Sequence, residues 1–266
     1  MKRLFLLLVP VLSLHAQFPG IDGPEPGTPK PAEQTPPKDP KEMIKKIEGT
    51  RFQLGVMEFD QKSRELRIPC LLNMREGLME YVLVHESGKA HESLLTTTAR
   101  PTEVNIALLL LNWKASEAFW DYSDPERGGE LVKGAKNPPA SQVELHLAWK
   151  DKDGKEQTAR LEEWLHNVEK RAKITKEPWI YTGSRVLADG KFLAEETGSI
   201  LSLYADPGSV INNPREGNDM DDIWVADPAV PDKGAAVTLV LKPVTPPAEK
   251  KEEPKPAKKP AVKKGK

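Results

Sequence analysis

The chain has 266 residues, and 39 Lys and Arg against 40 Asp and Glu give it a formal net charge of −1. Its 38% apolar and 6% aromatic residues, with a single cysteine, exclude a multi-span membrane protein, a histone-like basic protein and a disulfide-stapled mini-protein. The charge is unevenly distributed along the chain. Residues 42–242 carry a net charge of −7, whereas residues 243–266 carry +5.

Residues 1–16 have the features of a secretory signal peptide. Two basic residues at positions 2 and 3 precede an apolar run from Leu4 to Leu14, and the small residue Ala16 marks the expected cleavage site. The run is shorter than the roughly 20 apolar residues that a membrane-spanning helix needs. We therefore expect an exported protein, periplasmic or extracellular after cleavage, with no transmembrane segment in the mature chain.

Two further segments have compositions that cannot form a packed core. Residues 17–41 are proline-rich, which is typical of a semi-extended linker, and residues 243–266 combine Pro, Ala, Glu and Lys. We expect both segments to be disordered. The lysine-rich tail is either a solubilising end or an anchor to anionic polymers. The remaining residues, 42–242, are enough for one domain.

Within this body, alternation of apolar and polar residues predicts mostly strands. The clearest are residues 66–72 and 142–150, where every second residue is apolar. An antiparallel hairpin is predicted from residues 78–86 and 91–97, with a turn at Gly88. Further strands are predicted at residues 52–56, 179–186, 199–205, 209–212, 222–226 and 236–241.

Two stretches have the pattern of helices. Residues 104–111 follow Pro101, which suits a first helical position, and are apolar around much of the helix circumference. In the second stretch, apolar residues recur at helical spacing, at Leu161, Trp164, Leu165, Val168 and Ala172. The sequence therefore predicts an α+β domain, a mostly antiparallel β-sheet with two packed helices, flanked by disordered Pro-rich and Lys/Pro-rich segments.

The densest group of chemically reactive side chains comprises His85, Glu86, His91 and Glu92. In the predicted hairpin, His85 faces Glu92 and Glu86 faces His91, with one pair on each face of the sheet. Imidazole and carboxylate groups suit zinc or another transition metal, so a divalent metal is a candidate cofactor here. Acid–base catalysis and a structural role for the hairpin end are the alternatives.

Two other groups are candidate binding residues. Trp120, Asp121 and Tyr122 precede a Gly128-Gly129 loop, and an exposed tryptophan with polar neighbours is typical of a glycan- or peptide-binding groove. Plain packing beneath the loop is the alternative. Three carboxylates that follow one another closely indicate a calcium site or, because the ligand register of an EF-hand is missing, a solvated acidic turn. These carboxylates are Asp219, Asp221 and Asp222.

Five segments occur together in a characteristic order. They are residues 88–95 (GKAHESLL), 106–111 (IALLLL), 179–184 (WIYTGS), 205–214 (ADPGSVINNP) and 230–240 (VPDKGAAVTLV). In this order they resemble the YdjY-domain family of exported bacterial proteins, over roughly residues 50–243. The family has no established activity. The resemblance therefore implies a common fold and an exported location, and it supplies no catalytic residues.

Two functional hypotheses follow. The first is a non-enzymatic binding or interaction domain of the cell envelope, whose partner is an envelope polymer, a glycan or another protein, and for which no nucleic acid is expected. The alternative is a metal-dependent envelope enzyme that uses the His and Glu residues at 85–92. The enzyme requires these four side chains to converge on one cleft, whereas the binding domain requires only an exposed surface near Trp120 or a sheet edge.

Overall fold

The computed structural model describes residues 43–124 and 128–244. The predicted signal peptide, the proline-rich segment and the tail from residue 245 onward lie outside the described residues. The strands are β1 (Ile44–Glu48), β2 (Arg51–Leu54), β3 (Met57–Asp60), β4 (Glu65–Leu72), β5 (Tyr81–His85), β6 (Ser93–Thr97), β7 (Trp120–Asp121), β8 (Glu130–Leu131), β9 (Gln142–Lys150), β10 (Glu156–Arg160), β11 (Leu165–Asn167), β12 (Ala172–Lys173), β13 (Trp179–Tyr181), β14 (Ser199–Ser202), β15 (Ile211–Asn212), β16 (Trp224–Ala226) and β17 (Ala236–Pro243). The α-helices are α1 (Pro101–Leu110) and α2 (Leu193–Thr197).

Eight of these strands form a closed β-barrel. Their order around the ring is β4, β17, β9, β13, β15, β14, β5 and β6, and β6 pairs with β4 to close it. Two neighbouring pairs, β14 with β15 and β5 with β6, are parallel, and the other pairs in the ring are antiparallel. The predicted α+β class is therefore wrong, since the described chain is mostly β. Alternation along a strand predicts which face is buried, but it carries no information about closure, which depends on pairing between distant strands.

Two long strands connect the barrel to a sheet outside it. One edge of β4 pairs with β3 at its beginning and with β6 at its end. In the same way, one edge of β9 pairs with β13 at its beginning and with β10 further along. The meander of β1, β2 and β3 therefore extends from β4 without interrupting the ring. Each long strand can pair with two neighbours along one edge because each neighbour covers only part of that edge.

The core confirms the alternation that the sequence shows in β4. Leu66, Ile68, Cys70 and Leu72 are buried, and the residues between them are more exposed. The helix predicted after Pro101 is also confirmed as α1, whose Val104, Ala107 and Leu108 are buried in the same core as the barrel strands. No helix in the described part of the chain is long and apolar enough to cross a membrane.

The strands predicted at residues 78–86 and 91–97 exist, but they do not form the predicted antiparallel hairpin. β5 and β6 pair in parallel, so His85 lies opposite Thr97. Parallel neighbours usually need a crossover of a dozen residues or more, whereas the connection here is short. The local turn signal at Gly88 was therefore real, but it did not determine the direction in which the chain continues.

The connection between β5 and β6 returns to the beginning of β5. The amide of Glu80 donates a hydrogen bond to the carbonyl oxygen of Glu92 at 3.0 Å, which fixes this return. A Cβ atom at Gly88 would lie 2.9 Å from the carbonyl oxygen of Thr197 in α2, so only glycine allows the connection to lie this close. Packing against a segment distant in sequence thus replaces the simple hairpin turn.

The helix predicted from Leu161 to Ala172 is wrong. The chain instead forms a 3₁₀ turn, Leu161–Trp164, followed by the short strands β11 and β12. Arg171 has a φ of 49°, which is incompatible with a right-handed helix. Of the apolar residues at helical spacing, Leu161, Trp164 and Leu165 are buried in the core, whereas Val168 and Ala172 are exposed. The second helix of the structure, α2, lies elsewhere and is only five residues long.

A buried ion pair accounts for this rearrangement. The Glu162 side chain is fully buried and accepts hydrogen bonds from Arg215 Nη2 at 3.2 Å and from Trp179 Nε1 at 3.0 Å. Arg160 Nε donates to the other carboxylate oxygen at 3.1 Å. A helix that began at Leu161 would have placed Glu162 in its first turn. The available partners favour the turn because a buried carboxylate needs its hydrogen bonds satisfied.

Arg215 uses its guanidinium to join three segments. It donates to the backbone oxygens of Thr175, at 2.7 Å, and of Glu177, and it stacks over the Trp179 ring with 4.8 Å to the ring centroid. Burial lowers the pKa of Arg215 to about 10, against the opposing effect of Glu162. The arginine therefore stays charged at neutral pH and fixes the loop that follows β15.

Beside this pair, β11 forms a small sheet with β12 and β16. A second charged group lies at this sheet. Asp227, which follows β16, accepts a hydrogen bond from His166 Nε2 at 2.6 Å and lies 3.0 Å from Lys173 Nζ. Burial raises the pKa of Asp227, but the Ala229 amide, Lys173 and His166 outweigh it and lower the value to about 2. Asp227 is therefore a carboxylate at any ordinary pH and holds this sheet together.

We expect Glu162→Gln to destabilise the protein by about 3 kcal/mol, because it leaves the Arg215 charge buried without a counter-charge. Glu163→Gln is the matched control, since Glu163 is the next residue along and its ion pair with Lys176 is exposed. The control should cost less than about 1 kcal/mol. Urea unfolding of both variants measures the difference, and equal losses would contradict the role assigned to the buried pair.

Candidate functional site

The residues between α1 and β9 leave the barrel and return to it. We name residues 114–138 the excursion; it contains the two-stranded sheet of β7 and β8. The excursion shares with β13 and the loop after β14 a small apolar cluster that is separate from the main core. Its members are Phe119, Trp120, Ile180 and Ala205, with Leu131 packed against them.

Trp120 is the centre of this cluster and not the exposed contact that the sequence suggested. It is 6% exposed, packs edge-on against Phe119 and pairs across the strands with Leu131. Its indole N–H is buried and has no acceptor among the described residues. The exposed aromatic residue of the segment is Tyr122, two positions further along, with 46% of its surface exposed.

Tyr122 is held in place by glycine and arginine. Gly129 has a φ of +110°, and a Cβ atom there would lie 2.5 Å from Tyr122 Cε1, so glycine is needed for the ring to pack. The Arg185 guanidinium lies over the ring, 5.6 Å from its centroid, and donates to the carbonyl oxygen of Gly128. Its other N–H groups make no hydrogen bond within the described part of the chain.

These side chains line an open cleft of about 270 Å³, which we name the Tyr122 cleft; its lining residues are Tyr122, Asp124, Gly128 and Arg185. Burial raises the pKa of Tyr122, Arg185 opposes this and Asp206 adds to it. The hydroxyl therefore stays protonated and can donate a hydrogen bond. Asp121 is exposed, and its carboxylate accepts from the Ser123 amide at 2.8 Å, which lowers its pKa.

The backbone at residues 183 and 184 positions Arg185. Ser184 has a φ of 56°, which is uncommon for a residue other than glycine. Two hydrogen bonds of its hydroxyl stabilise this backbone conformation. The hydroxyl donates to the Gly208 carbonyl oxygen at 2.7 Å and accepts from the Ala194 amide at 3.1 Å. The sequence did not identify Arg185, because residues 183–185 fall within the predicted strand at residues 179–186. The Gly-Ser pair before an arginine was the one available signal.

A second cavity of about 350 Å³ lies on another side of the excursion, and we name it the loop cavity. Residues 131–135 and Asn137 form one wall, residues 214–219 form the other, and Phe119 also lines it. Lys133 Nζ lies 2.6 Å from Asp219 Oδ2, so an ion pair connects the two walls. Arg215 belongs to the second wall, which links this cavity to the buried ion pair with Glu162.

Two of the segments that carry the family resemblance, 88–95 and 205–214, meet at a polar group beside α2. Lys89 Nζ donates to the Tyr81 hydroxyl at 2.6 Å, and that hydroxyl donates to Asp206 Oδ2 at 2.9 Å. Burial, followed by the charge of Asp206, raises the pKa of Tyr81. The Gly208 amide donates to the other Asp206 oxygen at 2.7 Å. These contacts tie the connection between β5 and β6 to the loop before β15.

The structure separates the four His and Glu residues of the metal hypothesis. His85 lies at the end of β5, with Nδ1 2.7 Å from Ser87 Oγ. Glu92 lies beside Glu80, at the beginning of the same strand. At the usual rise per strand residue, this position is about 15 Å from His85. His91 is largely exposed, and its Nε2 atom lies 3.7 Å from Glu92 Oε2. The parallel pairing causes this separation, so the predicted facing pairs do not form.

The three aspartates of the calcium hypothesis lie on an exposed loop. Asp219 is paired with Lys133, and Asp221 and Asp222 are exposed. Within residues 43–124 and 128–244, no three His, Cys, Asp or Glu side chains are grouped so that they could hold a metal ion. The Tyr122 cleft and the loop cavity lie beside the excursion, and each is large enough to receive a small ligand.

The fold and these clefts define a closed β-barrel domain with an excursion that builds two ligand-sized depressions. The YdjY domain model matches residues 57–242, and the chain therefore belongs to the YdjY-domain family. This match confirms the resemblance found in the sequence and covers every strand of the barrel. Neither a curated protein nor a solved structure matches the chain.

We expect Gly129→Ala to destabilise the protein more than Gly134→Ala. Both glycines have a positive φ, but a Cβ atom at Gly134 meets nothing within 4 Å, whereas at Gly129 it overlaps Tyr122. Gly134→Ala should cost about 1 kcal/mol and Gly129→Ala about 2 kcal/mol or more. Urea unfolding checks the difference. Equal losses would mean that the Tyr122 ring is free to move aside.

Proposed function

We propose that this YdjY-domain protein is an exported binding domain of the cell envelope and that it binds a glycan at the Tyr122 cleft. The observation that carries the proposal is the Tyr122 ring, which is 46% exposed yet fixed between Gly129 and Arg185. A rigid exposed aromatic ring offers binding area without a large loss of conformational entropy. Tyr and Arg are also the residue types most enriched where binding energy is concentrated.

A glycan suits the chemistry of this cleft. One face of a pyranose ring presents C–H bonds and can stack on the open face of Tyr122, while its hydroxyls need donors and acceptors at the rim. The N–H groups of Arg185 form a planar fork of donors, and the Tyr122 hydroxyl can both donate and accept a hydrogen bond. A few polar groups around an apolar contact are the usual composition of a ligand site.

Export is supported by the order of charge, apolar core and small residue in residues 1–16. The full chain, expressed in a bacterial host with a C-terminal epitope, should be shortened and recovered from the periplasm or the medium. A chain that lacks residues 2–16 should remain in the cytoplasm at full length. Recovery of both chains in the cytoplasm, without shortening of the first, would contradict export.

The binding proposal is tested by titrating the mature chain with N-acetylglucosamine oligomers and soluble peptidoglycan strands while following tryptophan fluorescence and heat. We expect binding that Tyr122→Ala weakens at least tenfold and that Tyr122→Phe largely retains, because phenylalanine keeps the stacking face. Leu78→Ala is the matched control, since Leu78 is exposed to a similar extent, 49%. No response to any glycan, or equal affinities for Tyr122→Ala and Leu78→Ala, would overturn the proposal.

A further inference from the structure

The loop cavity is a separate site that uses no side chain of the Tyr122 cleft. Its volume of about 350 Å³ lies at the lower end of the range for small-molecule pockets. Leu131, Val132 and Pro214 give it an apolar surface. Asn137 and Asn218, which also line it, use their side-chain amides for internal hydrogen bonds, so they stabilise the walls.

The charges at the cavity have opposite signs on opposite walls. Lys133 lies on the excursion and Asp219 on the loop after β15, and their side chains are 74% and 45% exposed. An ion pair as exposed as this one contributes little to stability, so a ligand can take its place at small cost. The other acidic side chain of the lining, Glu216, also forms an exposed ion pair, with Lys170 Nζ at 2.7 Å. Lys133 and Asp219 therefore supply one positive and one negative group for a ligand.

We propose that the loop cavity binds a small zwitterion with an apolar side chain, the chemistry of a free amino acid. The ligand carboxylate pairs with Lys133, its ammonium group pairs with Asp219, and its side chain rests on Leu131 and Val132. A ligand with a single charge leaves either Lys133 or Asp219 without a partner. A neutral ligand cannot replace their ion pair at all. Charge complementarity thus favours a zwitterion over a sugar at this site.

Trp120 provides a local reporter for this site. It pairs across the strands with Leu131 and packs against it, and Leu131 lines the cavity. Its indole N–H is buried and has no acceptor within residues 43–124 and 128–244. We therefore expect a ligand that contacts Leu131 to change the emission of Trp120.

The experiment compares leucine and phenylalanine with leucinamide and N-acetyl-leucine, each of which keeps the apolar side chain and lacks one of the two charges. Calorimetry on the mature chain should show binding of leucine or phenylalanine and at least tenfold weaker binding of both analogues. Equal binding of leucine and leucinamide would overturn the proposal. Failure of every zwitterion to bind would overturn it as well.

A charge exchange tests the two walls. Lys133→Asp alone and Asp219→Lys alone should each weaken leucine binding at least tenfold, because both charges then have the same sign. The double variant should recover most of the affinity, since it again presents one charge of each sign. Lack of recovery in a folded double variant contradicts the proposal. Tyr122→Ala is the control that should leave leucine binding unchanged, which separates this site from the glycan proposal.

Discussion

The structure depends on one buried interaction, the ion pair of Glu162 and Arg215. Both charges lie out of water, so each needs its partner and its additional hydrogen bonds, from Trp179 to the carboxylate and from the guanidinium to backbone oxygens. These contacts join the turn before β11, the first residue of β13 and the loop after β15. That loop is one wall of the loop cavity. The pair therefore links the folding of the body to the shape of a ligand site.

Barrel closure explains why the sites lie on loops. A closed sheet leaves no free edge within the ring and buries its inward residues, so binding groups must come from segments that leave it. The excursion between α1 and β9 is such a segment, and the apolar cluster around Trp120 packs it against Ile180 of β13 and against Ala205. That cluster makes the excursion rigid enough to hold Tyr122 at one depression and to form a wall of another.

Local patterns predicted the elements that depend on neighbouring residues alone. The alternation in residues 66–72 and 142–150 predicted β4 and β9, and Pro101 with the apolar residues after it predicted α1. The pattern from Leu161 to Ala172 was misleading, because a buried carboxylate at Glu162 cannot be recognised from spacing. For the binding site, the sequence identified the right segment, 120–122, but chose Trp120 for its size, whereas the cross-strand contact with Leu131 buries it.

The sequence by itself determined the family, the strand-rich body and the segregation of charge and proline toward the two ends, because each is recorded in the order and composition of residues. Only the tertiary structure decided the closure of the barrel, the parallel direction of β6, and the meeting of Tyr122 with Arg185 and of Lys133 with Asp219. The partners in these contacts are far apart along the chain. Their proximity follows from the packing of the whole core, which no single stretch of the sequence specifies.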